Sequence, residues 1–261
     1  NIWTQKADFG GTASALGVGF NVGSKGYLAT GVTFNGYTRD FWEYDPDANI
    51  WTQKADFDGT TRSGAVGFSI GNKGYVGTGV GNTGTYFKDF WEYDPDADTW
   101  TQKADFAGTS RGGAVGLSIG SKGYLGTGIY IDSANHYYND FWEYNPAANT
   151  WTQKSDFGGT ARYGAVGFSI GSKGYLGTGF NNSNFKKDFW EYDPDANTWM
   201  QKANFGGTAR ESAACLASAA KDMWEWEMTP LDSRKISGNI IRMLTHGPQK
   251  RISVELTAFL P

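Results

Sequence analysis

The chain has 261 residues, a formal net charge of −4, 16% aromatic residues and a single cysteine. This balance excludes nucleic-acid binding through a basic surface, and one cysteine excludes an internal disulfide framework. No apolar run reaches the roughly eighteen residues that would cross a bilayer as a helix, while the aromatic content supplies ample core for one all-β domain of this length.

The first element in chain order is a tryptophan run, Asn1 to Ala7, and it recurs. Trp3, Trp51, Trp100, Trp151 and Trp199 stand in near-copies of WTQKADF, spaced at a period of roughly fifty residues that marks propeller blades. Each run leads into a glycine-threonine turn and then, in the second copy, into Ala65 to Ile70, a Gly71-Asn72 turn and Lys73 to Gly79. Short alternating stretches bounded by such turns predict hairpin strands. After a loop of changing length comes Asp89-Phe90-Trp91-Glu92-Tyr93, closed by Asp94-Pro95. In a strand this sets Trp91 and Tyr93 on one face and Phe90 and Glu92 on the other. A lone sheet cannot bury aromatic residues on both faces, so each blade is expected to stack against neighbours around an axis.

Read this way, residues 1–230 form an all-β, five-bladed propeller with a shortened last unit, and residues 231–261 form a tail. Asn1 to Ala7 is a fourth strand with no blade before it, and Asp222 to Trp226 is a third strand with no tryptophan run after it. Pairing of these two ends is expected to close the ring and hide both edges. The span from Arg210 to Asp222 is less than half that from Arg162 to Asp188, so the KGYLGTG strand is missing from the last copy. The β-favouring tail runs Ile236 to Thr245 and Arg251 to Leu260 are candidates to replace it, the alternative being an appendage.

The order of these landmarks resembles the kelch repeat of β-propellers, from the start of the chain to about Glu227. Carrying the resemblance are the Tyr44/Trp51, Tyr93/Trp100, Tyr144/Trp151 and Tyr192/Trp199 pairs, and Gly77-Thr78-Gly79 with its counterparts in place of a glycine doublet. It implies the propeller fold and leaves function open, because kelch propellers include partner-binding modules, sugar-handling proteins and a few enzymes.

Function is expected where the copies differ. The loops Val32 to Arg39, Val80 to Lys88, Ile129 to Asn139 and Phe180 to Lys187 vary in length and content, and variable loops on a rigid scaffold carry recognition. Their rings include Phe34, Tyr37, Tyr86, Phe87, Tyr130, Tyr137, Tyr138 and Phe185, beside Asn35, Asn82, Asn135, Asn182 and Asn184. Rings and amides together suit a saccharide or an extended peptide. Arg62, Arg111, Arg162 and Arg210 close four glycine-threonine turns, with Ser14 in the first. The kelch resemblance implies that arginines at this point face ligand, with an anionic group on the partner. Pairing with the aspartates at Asp40, Asp89, Asp140, Asp188 and Asp222, or with those of the turns, is the structural alternative. The expected ligand-binding set is therefore Arg62, Arg111, Arg162, Arg210, Tyr37, Tyr86, Tyr137 and Tyr163, around the channel mouth.

Catalysis finds little to build on. Repeated groups such as Glu43, Glu92, Glu143, Glu191 and Glu225 read as scaffold, because catalysis needs groups with separated pKa values. There is no CxxC or HExxH, and Cys215 lies in an apolar stretch that suits a buried thiol. One enzymatic route is open. Asp132, His136, Tyr163 and Glu211 are singular polar residues, with Asp132, His136 and Glu211 as candidate catalytic groups, and calcium is the only cofactor they suggest, for a metal-assisted hydrolase of lactones or glycosides. A purely structural repeat module is the third reading. The expected partners are a carbohydrate or peptide, with no nucleic acid and no membrane, for a monomer. The composition suggests a bacterial protein, extracellular or in the cell envelope, and any export signal lies outside what Asn1 onward can show.

Overall fold

The computed structural model describes residues 4–216 and the strands Ile240–His246 and Arg251–Glu255. Every regular element among the described residues is a β-strand, and no helix there is long and apolar enough to cross a membrane. Four four-stranded sheets follow the repeat in chain order. They are Val18–Val22, Lys25–Ala29, Phe41–Asp45 and Ile50–Gln53; Val66–Ile70, Lys73–Gly77, Phe90–Asp94 and Thr99–Lys103; Val115–Ile119, Lys122–Gly126, Phe141–Asn145 and Thr150–Lys154; and Val166–Ile170, Lys173–Gly177, Phe189–Asp193 and Thr198–Lys202.

The count of five blades is therefore corrected to four. The fifth copy contributes only Ala214–Leu216 among the described residues, because the sequence that would form its KGY strand is absent. Instead of the antiparallel partner found in the other copies, Ala214–Leu216 pairs in parallel with Ile240–His246, which pairs antiparallel with Arg251–Glu255. The expected latch between first and last strands involves Asn1 to Trp3 and Asp222 to Trp226, which lie outside the described residues. Thr4 to Ala7 carry no strand.

The chain divides into two compact units. One comprises residues 4–114, 121–123 and 142–152; the other comprises residues 115–120, 124–141 and 153 onward. In the first unit the core layer is built from Val18, Val22, Tyr27, Phe41, Phe57, Val76, Tyr93 and Trp100. Phe41 is fully buried and meets Tyr93 and Trp100 edge-on, at 4.6 and 4.9 Å between ring centroids. The second unit repeats the arrangement with Phe141 against Tyr192 and Trp199, at 4.9 and 5.0 Å. Edge-on rings satisfy the quadrupole as well as the area term. Close approach of successive first strands depends on glycine. A Cβ on Gly67 would stand 2.6 Å from Val18 Cγ2, and one on Gly167 would stand 2.2 Å from Val115 Cγ1.

Trp51, Trp100, Trp151 and Trp199 also fasten one copy to the chain leaving the copy before it. Trp100 Nε1 donates to the Ala55 carbonyl at 3.1 Å, while the Ala55 N–H donates to Asp98 Oδ1. Trp199 and Asn197 hold Ser155 in the same manner, as Trp151 and Asn149 hold Ala104. Ala7 is held by Trp51 and Asn49, so the N-terminal segment is seated as the end of a tryptophan run although Thr4 to Ala7 form no strand. The repeated glutamates are scaffold in the same way: Tyr27, Tyr75 and Tyr175 donate their hydroxyls to Glu43, Glu92 and Glu191 at 2.6–2.8 Å.

The arginines of the glycine-threonine turns form the most demanding contacts. Arg62 Nη1 reaches Asp89 Oδ1 at 2.5 Å and the Thr78 carbonyl at 2.9 Å, Nη2 reaches Asp89 Oδ2 at 2.7 Å, and Nε reaches the Thr60 carbonyl at 2.9 Å. Arg162 repeats the set with Asp188, Thr178 and Thr160, and adds Thr160 Oγ1. Both guanidinium groups have no exposed surface, and each lies 4.9 Å from the ring of Phe57 or Phe157. To present their carbonyls, Thr78 and Thr178 adopt φ of 58° and 61°, a left-handed conformation that is uncommon for a β-branched residue.

Two expected outcomes follow from this core. Phe141→Ala should cost about 3–5 kcal/mol in urea unfolding, whereas Met200→Ala, at a side chain 61% exposed, should stay within about 0.5 kcal/mol. Arg162→Gln should cost about 3 kcal/mol at neutral pH, because the half-buried Asp188 carboxylate and the Thr178 carbonyl lose a fully buried partner. Burial alone would raise the Asp188 carboxyl; hydrogen bonds from Arg162 and Trp190 outweigh it and hold the group below the ordinary carboxylate value. A depressed folded-state value gives stability that is present above the unfolded value of about 3.9 and lost as pH falls through the folded one. The gap between parent and variant should therefore narrow below about pH 3.9; a gap independent of pH would contradict the assignment.

Candidate functional site

After each GTG strand the chain makes a small hairpin whose inner residue pairs with a ring. Val32 pairs with Tyr37, Val80 with Tyr86, Ile129 with Tyr137, and Phe180 with Phe185. Four aromatic residues from loops of unequal length thus share one structural position. On their other side Val32 and Phe180 pair with Ala15 and Tyr163, and Val80 pairs with Ser63. Ala15, Ser63 and Tyr163 all follow the Ser14, Arg62 or Arg162 position, and Gly112 and Glu211 hold it in the remaining copies. This position carries a different residue in every copy, directly beside the most rigidly held side chain of the repeat.

Backbone hydrogen bonds fix the position. The Gly79 N–H donates to the Arg111 carbonyl at 2.8 Å, and the Gly64 N–H to the Leu16 carbonyl at 3.0 Å. In the second unit the Gly179 N–H donates to the Arg210 carbonyl, and the Ser212 N–H to the Gly164 carbonyl, both at 2.7 Å.

In the first unit Phe34 is fully exposed at its hairpin tip, Tyr37 and Tyr86 are half-buried, and Phe87 lies over the Arg62 guanidinium at 4.3 Å. In the second unit the rings converge. Tyr137 and Tyr163 stand 6.0 Å apart, Tyr163 meets Phe180 edge-on at 6.1 Å, and Phe180 meets Phe185 at 5.2 Å. Burial, and then a hydrogen bond to Glu211, push the Tyr163 hydroxyl up to about 12. The Glu211 carboxylate oxygen Oε2 is buried and has no partner among the described residues. Rings, a phenol and a carboxylate with one buried, unpartnered oxygen therefore meet in one place.

The remaining sequence candidates are distributed as follows. Asp132 and His136 pair at 3.0 Å across the Ile129–Ile131/Asn135–Tyr137 hairpin, both 46% exposed. The Ala134 N–H and then His136 hold the Asp132 carboxyl below its ordinary value. The four singular polar residues thus come as two pairs, Asp132 with His136 and Tyr163 with Glu211, and no group of three or more His, Cys, Asp or Glu residues among the described residues could hold a metal ion. Arg111 is buried like Arg62 and Arg162, with Nε on the Thr109 carbonyl. Arg210 is half-buried, its Nε on the Thr208 carbonyl, and its repeat partner Asp222 lies outside the described residues. Burial raises the Cys215 thiol to about 12, so it is protonated at neutral pH and poorly nucleophilic. Sequence reading missed the pairing of Tyr137 with Tyr163 and the part played by Phe180; the recurrence of one aromatic in each loop was the available signal.

Among solved structures, that of YjhT is similar to this chain with a TM-score of 0.69 and 15% sequence identity, over 81% of this chain and 76% of that one. No family model matches the chain, and no curated protein matches it. At that identity the likeness carries the fold alone, and the fold is a β-propeller.

Proposed function

We propose that the protein is a recognition propeller of the kelch type that binds a saccharide through Tyr137, Tyr163, Phe180 and Glu211. The observation that carries this reading is the meeting of three rings with a carboxylate oxygen that lacks a partner. Flat rings cover the apolar face of a sugar, and a carboxylate accepts from its hydroxyls once the Glu211 side chain turns its buried oxygen toward the ligand. The scaffold supports such a role because the position after the turn arginine is fixed by backbone hydrogen bonds, and a pre-ordered site loses little entropy on binding. Arg62, Arg111 and Arg162 have no exposed surface, so the reading places ligand recognition on the tyrosines and Glu211 and calls for a neutral, hydroxyl-rich ligand.

A glycan array followed by calorimetric titration of its best ligand tests the reading. Tyr137→Ala with Tyr163→Ala should weaken binding at least tenfold, about 1.4 kcal/mol, and Glu211→Gln should weaken it less while leaving the melting temperature near that of the parent. An array without hits, or unchanged affinity in the double variant, would overturn it.

A further inference from the structure

The first copy has lost its arginine and kept the cradle for one. Ser14 stands where Arg62, Arg111, Arg162 and Arg210 stand in the others. The groups that hold Arg62 are the Thr60 carbonyl, the Thr78 carbonyl, both oxygens of Asp89 and the Phe57 ring. Their counterparts by repeat position are Thr12, Thr30, Asp40 and Phe9. These four residues, with Ser14 and Trp42, line a small pocket of about 10 Å³, room for a single water, at the floor of a wider concavity open to solvent.

Two polar groups around the pocket lack what the arginine copies supply. Trp91 and Trp190 donate their indole N–H to Asp89 and Asp188 at 2.8 and 2.9 Å, whereas Trp42 Nε1 is buried without a partner among the described residues. Asp40, the carboxylate of this copy, has no ion pair among the described residues; its neighbour Arg39 pairs with Asp56 instead. The Trp42 indole N–H stands in the gap. A Cβ on Gly11 would stand 2.7 Å from Trp42 Nε1, where a Cβ on the corresponding Gly59 would stand 2.9 Å from Arg62 Nη2. The indole N–H thus occupies part of the place of one guanidinium nitrogen without acquiring its acceptor.

We propose that this pocket is a binding site for an alkylguanidinium group supplied by a ligand, either a small guanidino compound or an arginine side chain of a peptide. Room for the group comes from Trp42, whose indole N–H turns onto Asp40 as that of Trp91 sits on Asp89; Asp40 then accepts two parallel N–H bonds, the Thr12 and Thr30 carbonyls take further ones, and Phe9 lies beside the plane. A planar fork matches this set of acceptors; an ammonium is a point charge and cannot span it. The site is independent of the saccharide reading, since neither Ser14 nor Asp40 enters that reading.

Titration of the full chain with ethylguanidinium and with ethylammonium at constant ionic strength, followed by calorimetry and tryptophan fluorescence, tests the site. Saturable binding of ethylguanidinium is expected, with ethylammonium at least tenfold weaker. Binding should be lost in Asp40→Asn and in Ser14→Arg, while Tyr137→Ala with Tyr163→Ala leaves it intact. Ser14→Arg should also raise the melting temperature by about 2–4 °C, because its own guanidinium fills the cradle. Capped Gly-Arg-Gly binding more tightly than ethylguanidinium would identify a peptide as the source, and equal or weaker binding would identify a small guanidino compound. No saturable binding in the parent, or equal affinity in Asp40→Asn, overturns the proposal even if Ser14→Arg fails to fold.

Discussion

A buried guanidinium held by a bidentate carboxylate is the contact on which the rest of each repeat depends. Arg62 and Arg162 fill their donor sites from the turn, from the following GTG strand and from the aspartate that opens the next strand, and so tie three segments of one copy together. The left-handed threonine that supplies one acceptor costs on the order of 1–3 kcal/mol, and an unpaired buried charge would cost more. Such an assembly is stable only when complete, which makes it effective at fixing one geometry. The residue after the arginine inherits that rigidity, and it is the residue that differs in every copy.

The division of labour between constant and variable positions explains how near-identical repeats produce one distinctive place. Ser63 and Gly112 present little at the position where Tyr163 and Glu211 present a ring, a phenol and a carboxylate. With Arg62, Arg111 and Arg162 buried inside the scaffold, what sets the copies apart are these substitutions and the hairpin aromatics. Loss of the arginine in the first copy is the complementary case: there the anchor is missing, and its acceptors remain.

Much of the architecture was legible because strand alternation and turn chemistry are local. The GTG strands, the FWEYD strands and the Gly-Asn or Gly-Ser hairpins stand where the pattern predicts them. The blade count failed because the turn and arginine of the fifth copy look complete, whereas a blade needs a KGY strand to pair with, and that strand is absent. The fate of the arginines was not legible either. Asp89 lies 27 residues beyond Arg62, and only the antiparallel register of the intervening strands shows that they meet. The same holds for Tyr137 and Tyr163, which come together only once the hairpin of one copy and the turn of the next are placed.

The most direct test of this account is the hydrogen exchange of arginine side chains by ¹⁵N nuclear magnetic resonance. The Nε–H resonances of Arg62 and Arg162 should exchange far more slowly at neutral pH than that of Arg39, whose side chain is 53% exposed. Exchange of Arg62 and Arg162 as fast as that of Arg39 would show that these guanidinium groups meet solvent, and the anchoring role assigned to them would be wrong.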